Sequence, residues 1–225
     1  MRVACLISGG KDSLYALYLA RENEIKYLIT ISPKNKESWM FHFPCIELTK
    51  LQAEALNLKH IFKEIEGRKE EEMEELKMAI NDIKNEVEGL VSGVIKSNYQ
   101  KERIEKICKE LGLKSITPLW GKNPEDVVKE EIESGFEIII TGVFCEGLDK
   151  SWIGKKLDLS VLEELKELNK KYGINVAGEG GEFETLVLDC PLFQKKIEIL
   201  ESEKFWDGKT NSGYLIVKDA RLISK

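Results

Sequence analysis

Short apolar runs alternate along this chain with segments whose apolar residues recur every three or four positions. Val3 to Ile7 is an unbroken apolar run, the pattern of a strand covered on both faces. Leu14, Leu17 and Tyr18 then fall on one side of a helix, and Tyr27 to Ile31 reads as the next strand. Leu48, Leu51, Ala55 and Leu58 predict a helix over Glu47–Leu58, followed by a weaker strand over His60–Ile65. Met73, Leu76, Ile80 and Ile83 form the narrow stripe of a charged helix. Leu90–Ile95 reads as a strand, and Ile104, Ile107, Cys108 and Leu111 place a helix over Lys101–Leu111, with Gly112 as its stop. This alternation predicts an α/β fold, a parallel sheet with right-handed crossovers and helices on both faces.

Pro118 marks a boundary, and the pattern changes beyond it. A helix over 124–133 precedes a strand at Ile138–Thr141, and a second helix covers Val161–Lys171. The remainder is strand-rich: Thr185–Leu188, Ile197–Leu200 and Tyr214–Val217. Asp207-Gly208-Lys209 and Asn211-Ser212-Gly213 supply turn chemistry between the last two. No repeat or low-complexity linker separates the halves, so they are expected to pack closely.

A length of 225 residues suits one large domain or two small ones and buries a core without staples. The net charge of −6 argues against sequence-independent nucleic-acid binding, which draws its affinity from phosphate neutralisation. No apolar run reaches membrane-spanning length, and the apolar start ends at Ser8, too soon for a signal peptide. The cysteines at 5, 45, 108, 145 and 190 lack CxxC spacing, and His42 and His60 lie far apart, so no zinc site is expected. Dispersed cysteines fit a reducing compartment, the cytoplasm. Cys5 and Cys190 read as small core residues, and His42 as a structural residue as readily as one lining a site.

Chemistry concentrates first in Ser8-Gly9-Gly10-Lys11-Asp12-Ser13, between the first strand and the first helix. An open α/β sheet binds ligands there, at the carboxyl ends of its strands. Glycines let backbone N–H groups approach an anion, and the helix aims its positive end at the same spot. Ser8 and Ser13 can donate hydroxyl hydrogen bonds, Lys11 can neutralise phosphate charge, and Asp12 can hold magnesium or cap the helix. The segment is neither GxxxxGK[ST] nor GxGxxG. The alternative is a strand-to-helix turn that needs glycines for its own geometry.

Strand–SGGKDS–helix resembles the PP-loop, or N-type, ATP pyrophosphatases. Within that superfamily, two further segments are similar to the diphthine–ammonia ligase family, in its short archaeal form. They are Ser92-Gly93-Val94-Ile95-Lys96-Ser97-Asn98-Tyr99-Gln100 and Gly178-Glu179-Gly180-Gly181-Glu182-Phe183-Glu184-Thr185 with its continuation to Phe193. The resemblance implies a Rossmann-like (HUP) parallel-sheet ATP-binding domain over 1–118 and a smaller α/β substrate-binding domain over 119–225. It implies ATP and Mg2+ as cofactors, elongation factor 2 bearing diphthine as the protein substrate, and free ammonium as the nitrogen source, since no glutaminase signature is present. Diphthine is a histidine carrying a trimethylammonium group and a carboxylate; its amide is diphthamide. The carboxylate would be adenylated, pyrophosphate would leave, and ammonia would displace AMP.

Ser8, Gly9, Gly10, Lys11, Asp12 and Ser13 would then hold the phosphates, and Ile31, Ser32, Ser92 and Gly93 the adenosine. Glu179, Glu182 and Glu184 put three carboxylates into six residues, a cluster suited to a cationic ligand. With Gly180, Gly181, Phe183 and Thr185 they form the expected substrate segment. Lys11, Asp12, Glu182 and Glu184 are the expected catalytic residues, although guiding ammonium, acting as base and binding the cation stay open among the glutamates. Phe183, Trp120 or Trp152 could add cation–π contact worth about 0.5–2 kcal/mol. Oligomeric state stays open, a homo-oligomer included. A PP-loop tRNA-modifying enzyme is the main enzymatic alternative, disfavoured by the acidic charge and the missing CxxC. A non-catalytic ATP sensor is disfavoured by the second, acidic segment.

Overall fold

β1 (Arg2–Leu6) lies at the centre of a five-stranded parallel sheet in the computed structural model, which describes residues 1–33, 45–65 and 69–225. Its neighbours are β2 (Glu24–Pro33) and β4 (Gly89–Val91), with β3 (Lys59–Ile65) and β5 (Lys114–Ile116) at the edges. Val3, Ala4 and Cys5 have no exposed surface, which is why this strand reads as an unbroken apolar run. The chain winds from β1 to β2 to β3, then returns to the other side of β1 for β4 and β5. The strand order therefore reverses between β1 and β4, and the loops leaving these strands flank the crevice where such sheets bind ligands.

α1 (Lys11–Leu19) and α2 (Thr49–Leu56, after a 3-10 turn at Ile46–Leu48) cover one face. α3 (Lys69–Ile83) and α4 (Asn98–Leu111) cover the other, where Leu76, Ile80, Ile104 and Ile107 pack on Ala4, Ile29 and Leu90. The second half contributes α5 (Pro124–Glu133), β6 (Glu137–Val143), α6 (Leu159–Tyr172), β7 (Phe183–Asp189), β8 (Lys196–Asp207) and β9 (Ser212–Ile223). Its strands form an antiparallel sheet in the order β7-β6-β9-β8. One apolar cluster joins Val3, Leu14 and Leu17 to Val127, Val128, Ile138 and Phe193, so α1 is enclosed between the halves. The Gln52 amide stitches the same seam, donating to the Gly9 and Val187 carbonyls at 2.9 Å each.

The α/β class and the parallel sheet agree with the sequence pattern, and three details differ. The strand expected to reach Ile95 ends at Val91, because Gly93 turns the chain against α1. β5 has only three residues, two of them Lys114 and Ser115, and carries no periodic signal. β8 and β9 extend to twelve residues each, since the ladder continues through exposed polar positions such as Glu201–Lys204.

Candidate active site

The loop after β1 is held by its own serines. Ser8 N–H donates to Ser13 Oγ at 3.2 Å, Gly10 N–H donates to Ser8 Oγ at 3.4 Å, and Ser13 Oγ donates to the Gly10 carbonyl at 3.0 Å. Gly9 has φ +89°, the left-handed region that disfavours a side chain. Gly10 caps α1 without a side chain, and the Ser8 hydroxyl lies beside the positive helix end on the exposed side. The loop from β4 closes in behind: a Cβ on Gly93 would lie 2.7 Å from the Asp12 carbonyl carbon and oxygen. Ser92 is buried with its hydroxyl unpartnered, and Ser32 is buried at the end of β2 beside the half-buried Ile31.

Thr185 of β7 meets the loop directly. Its Oγ1 accepts the Lys11 N–H at 3.2 Å, and the Val187 N–H donates to the Gly9 carbonyl at 3.0 Å. The Lys11 side chain turns inward and has no exposed surface; its ammonium pairs with Asp12 Oδ1 at 2.6 Å and with Glu131 Oε2 at 3.6 Å. Burial alone would lower its pKa, but the Asp12 and Glu131 carboxylates outweigh burial and hold it above the ordinary lysine value. Glu131, from α5, has no exposed surface, and neither of its oxygens accepts a hydrogen bond. Burial, then the charge on Asp12, drives its pKa well up against the pull of Lys11.

Glu184, next to Thr185, is half-buried. Burial and then the Asp12 charge push its carboxyl up to about 7, with Lys11 opposing. The other two glutamates shape the turn. Glu182 accepts the N–H groups of Asn175 (3.1 Å) and Gly180 (2.8 Å), and a Cβ on Gly180 would meet its Oε1 at 2.7 Å. Glu179 Oε1 accepts the N–H groups of Ile95 and Lys96. Gly181 has φ +84° and no nearby obstruction. Phe183 is 2% exposed, its ring packed beneath Gly178. Lys155 lies over the Trp152 ring at 4.3 Å and Lys101 over the Trp120 ring at 4.8 Å, so both indoles already carry a cation. Trp39 to His42 lie outside the described residues.

Two residues at this seam are invisible to motif reasoning. Glu131 falls three and four positions after Val128 and Val127, on the apolar side of α5; Gln52 falls four after Leu48 on α2. A polar residue on an apolar stripe is the signal that finds them. Among the described residues no group of three His, Cys, Asp or Glu could hold a metal ion, and no helix is long and apolar enough to cross a membrane.

Comparison with known proteins gives one answer at the level of family. The diphthamide synthase N-terminal domain family matches residues 1–115, and the diphthamide synthase C-terminal domain family matches residues 123–223. The human diphthine–ammonia ligase is 39% identical over 227 residues, covering 90% of this chain and 84% of its own. The fission yeast (Schizosaccharomyces pombe) diphthine–ammonia ligase is 34% identical over 97% of this chain, which spans 39% of that longer protein. A solved structure from Methanocaldococcus jannaschii, described as a predicted subunit of tRNA methyltransferase, aligns with 85% of this chain and 98% of its own at 21% identity and a TM-score of 0.45. The chain belongs to the diphthamide synthase family of diphthine–ammonia ligases, enzymes that form a carbon–nitrogen bond.

Proposed function

We propose that the chain amidates diphthine on elongation factor 2 with free ammonium, through an acyl-adenylate that releases pyrophosphate and then AMP. The carrying observation is the hydrogen bond from Lys11 N–H to Thr185 Oγ1. It sets the phosphate loop of one half against the glutamate segment of the other, so that a nucleotide and a cationic acceptor would share one crevice.

The loop suits a pyrophosphate: the Ser8 and Ser13 hydroxyls, the glycine backbone and the N-terminus of α1 would exchange their hydrogen bonds within the seam for phosphate oxygens. Ile31, Ser32, Ser92 and Gly93 end β2 and follow β4 beside that loop, where adenosine fits. Magnesium held largely by phosphate oxygens needs few protein carboxylates, and Asp12 is a carboxylate of the loop itself. It would supply charge neutralisation at the departing pyrophosphate.

On the acceptor side a carboxylate resists ammonia until its oxygen is made a leaving group, which adenylation does. Glu184 then has a carboxyl poised near neutrality, able to accept the proton shed by the incoming nitrogen. Glu179 and Glu182 fix the turn that presents it, and the negative field of the segment favours both ammonium and a trimethylammonium group. The reading puts the reaction in the cytoplasm, where the factor works. The test is AMP release from ATP and Mg2+, assayed with and without ammonium and with and without diphthine-bearing elongation factor 2. AMP that needs both supports the reading; AMP indifferent to the factor refutes the assigned acceptor.

A further inference from the structure

A side chain with no exposed surface cannot touch a ligand arriving from solvent unless something moves. Lys11 is such a side chain, and it belongs to the loop that carries the phosphate-binding groups. Its ammonium faces inward, 3.6 Å from a carboxylate on α5, in the other half of the chain. Neither oxygen of that carboxylate, Glu131, has a hydrogen-bond partner of good geometry, and besides the lysine only the Asp12 carboxylate acts on it among the charged groups of the described residues. A buried acid without hydrogen bonds is expensive, and its nearest compensation is the lysine charge.

We propose that Lys11 has two stations, a buried one on Glu131 in the nucleotide-free protein and an outer one on the polyphosphate, with Glu131 as the positioning residue that holds the first. The inference rests on the reading that this loop takes ATP. Asp12 pairs with the same ammonium at 2.6 Å and is half-buried. Withdrawal of the lysine uncovers Glu131, so nucleotide binding works against the α5 contact and communicates with the second half of the chain. A merely structural Glu131 would do the opposite: its loss would loosen the seam and weaken nucleotide binding.

The experiment follows the ammonium of Lys11 by proton–nitrogen spectroscopy of 15N-lysine-labelled full chain, assigned by the signal lost in Lys11→Met. A nonhydrolysable ATP analogue with Mg2+ is the ligand, and its Kd is measured in parallel. The nucleotide-free protein should show a slowly exchanging ammonium signal that the analogue shifts and brings into fast exchange with water. Glu131→Gln should lose the slow signal and bind the analogue about tenfold more tightly, the worth of one charge-assisted contact no longer to be broken. Glu131→Asp should move the Kd back towards that of the native chain. A Lys11 signal unchanged by bound analogue overturns the two stations, and needs no variant. A folded Glu131→Gln chain with equal or weaker affinity overturns the role of Glu131. A native chain that does not bind the analogue at all refutes the ATP reading itself, and the inference with it.

Discussion

The Oε1 of Glu179 accepts the backbone N–H of Lys96 at 2.7 Å, and the Ile95 N–H shares the same oxygen at 3.1 Å. A carboxylate in the glycine-rich turn of one half thus fixes the loop that follows β4 in the other. Glu179→Ala frees two amides at once. The expected cost is about 1–3 kcal/mol of stability, with faster hydrogen exchange at Ile95 and Lys96 than in the native chain. Unchanged protection at both amides would contradict the bridge.

Gly93 is where that loop touches α1. A Cβ there would lie 2.7 Å from the Asp12 carbonyl group and 2.8 Å from the Ser13 nitrogen, and backbone cannot swing aside as a side chain can. Gly93→Ala should cost about 1–3 kcal/mol and weaken ATP binding together with the melting temperature. Gly112→Ala is the control: no atom lies within 4 Å of the added carbon, but its φ of +72° still carries a backbone penalty. Its loss should therefore appear in stability alone.

Glu184 predicts a pH dependence whose sign follows from burial. Its folded-state value of about 7 lies above the ordinary 4.5. Between these limits the native state binds more protons than the unfolded one, so stability falls as pH rises through the window. Above pH ~7 the penalty is complete, about 3 kcal/mol. Glu184→Gln should remove it, so urea denaturation of the two proteins should coincide near the acid limit and diverge towards neutral pH in favour of the variant. Product formation by the variant should be lost, with nucleotide binding retained.

Lys11→Met removes the ammonium that pairs with Asp12 and faces Glu131, and removing one member of such a buried cluster should cost about 3–5 kcal/mol. The loop lysine therefore supports the fold as well as the phosphate site, and loss of ATP use in this variant comes with a loss of stability. Adding Glu131→Gln should recover most of the stability and none of the activity, giving a large coupling in a double-mutant cycle. Additive stability losses would contradict the pairing.

How much of this was legible before the structure depends on the element. β1 and its loop were plain, because a doubly covered strand has no polar interruptions and the glycines and serines follow at once. The glutamate segment was visible as composition, but the separate tasks of its members were not. Glu179 and Glu182 bind backbone amides while Glu184 is buried within reach of the Asp12 charge, distinctions set by the surroundings each meets across the fold. Phe183 and the indoles look like cation-binding aromatics in sequence; the fold buries the first and sets lysines over the other two. Glu131 lies among Glu130 and Glu133 in a run that reads as solvated helix, and only its phase relative to Val127 and Val128 separates it. The half-buried neighbour Glu130 instead takes Lys122 at 2.5 Å.

The most direct test of the account is the fate of the nitrogen. Diphthine-bearing elongation factor 2 is incubated with the chain, ATP, Mg2+ and 15N-ammonium, and the modified histidine peptide is analysed by mass spectrometry while AMP is counted. The account predicts one 15N in the carboxamide for each AMP formed, and neither without ATP. AMP without label in the factor, or label that does not depend on ATP, would contradict it.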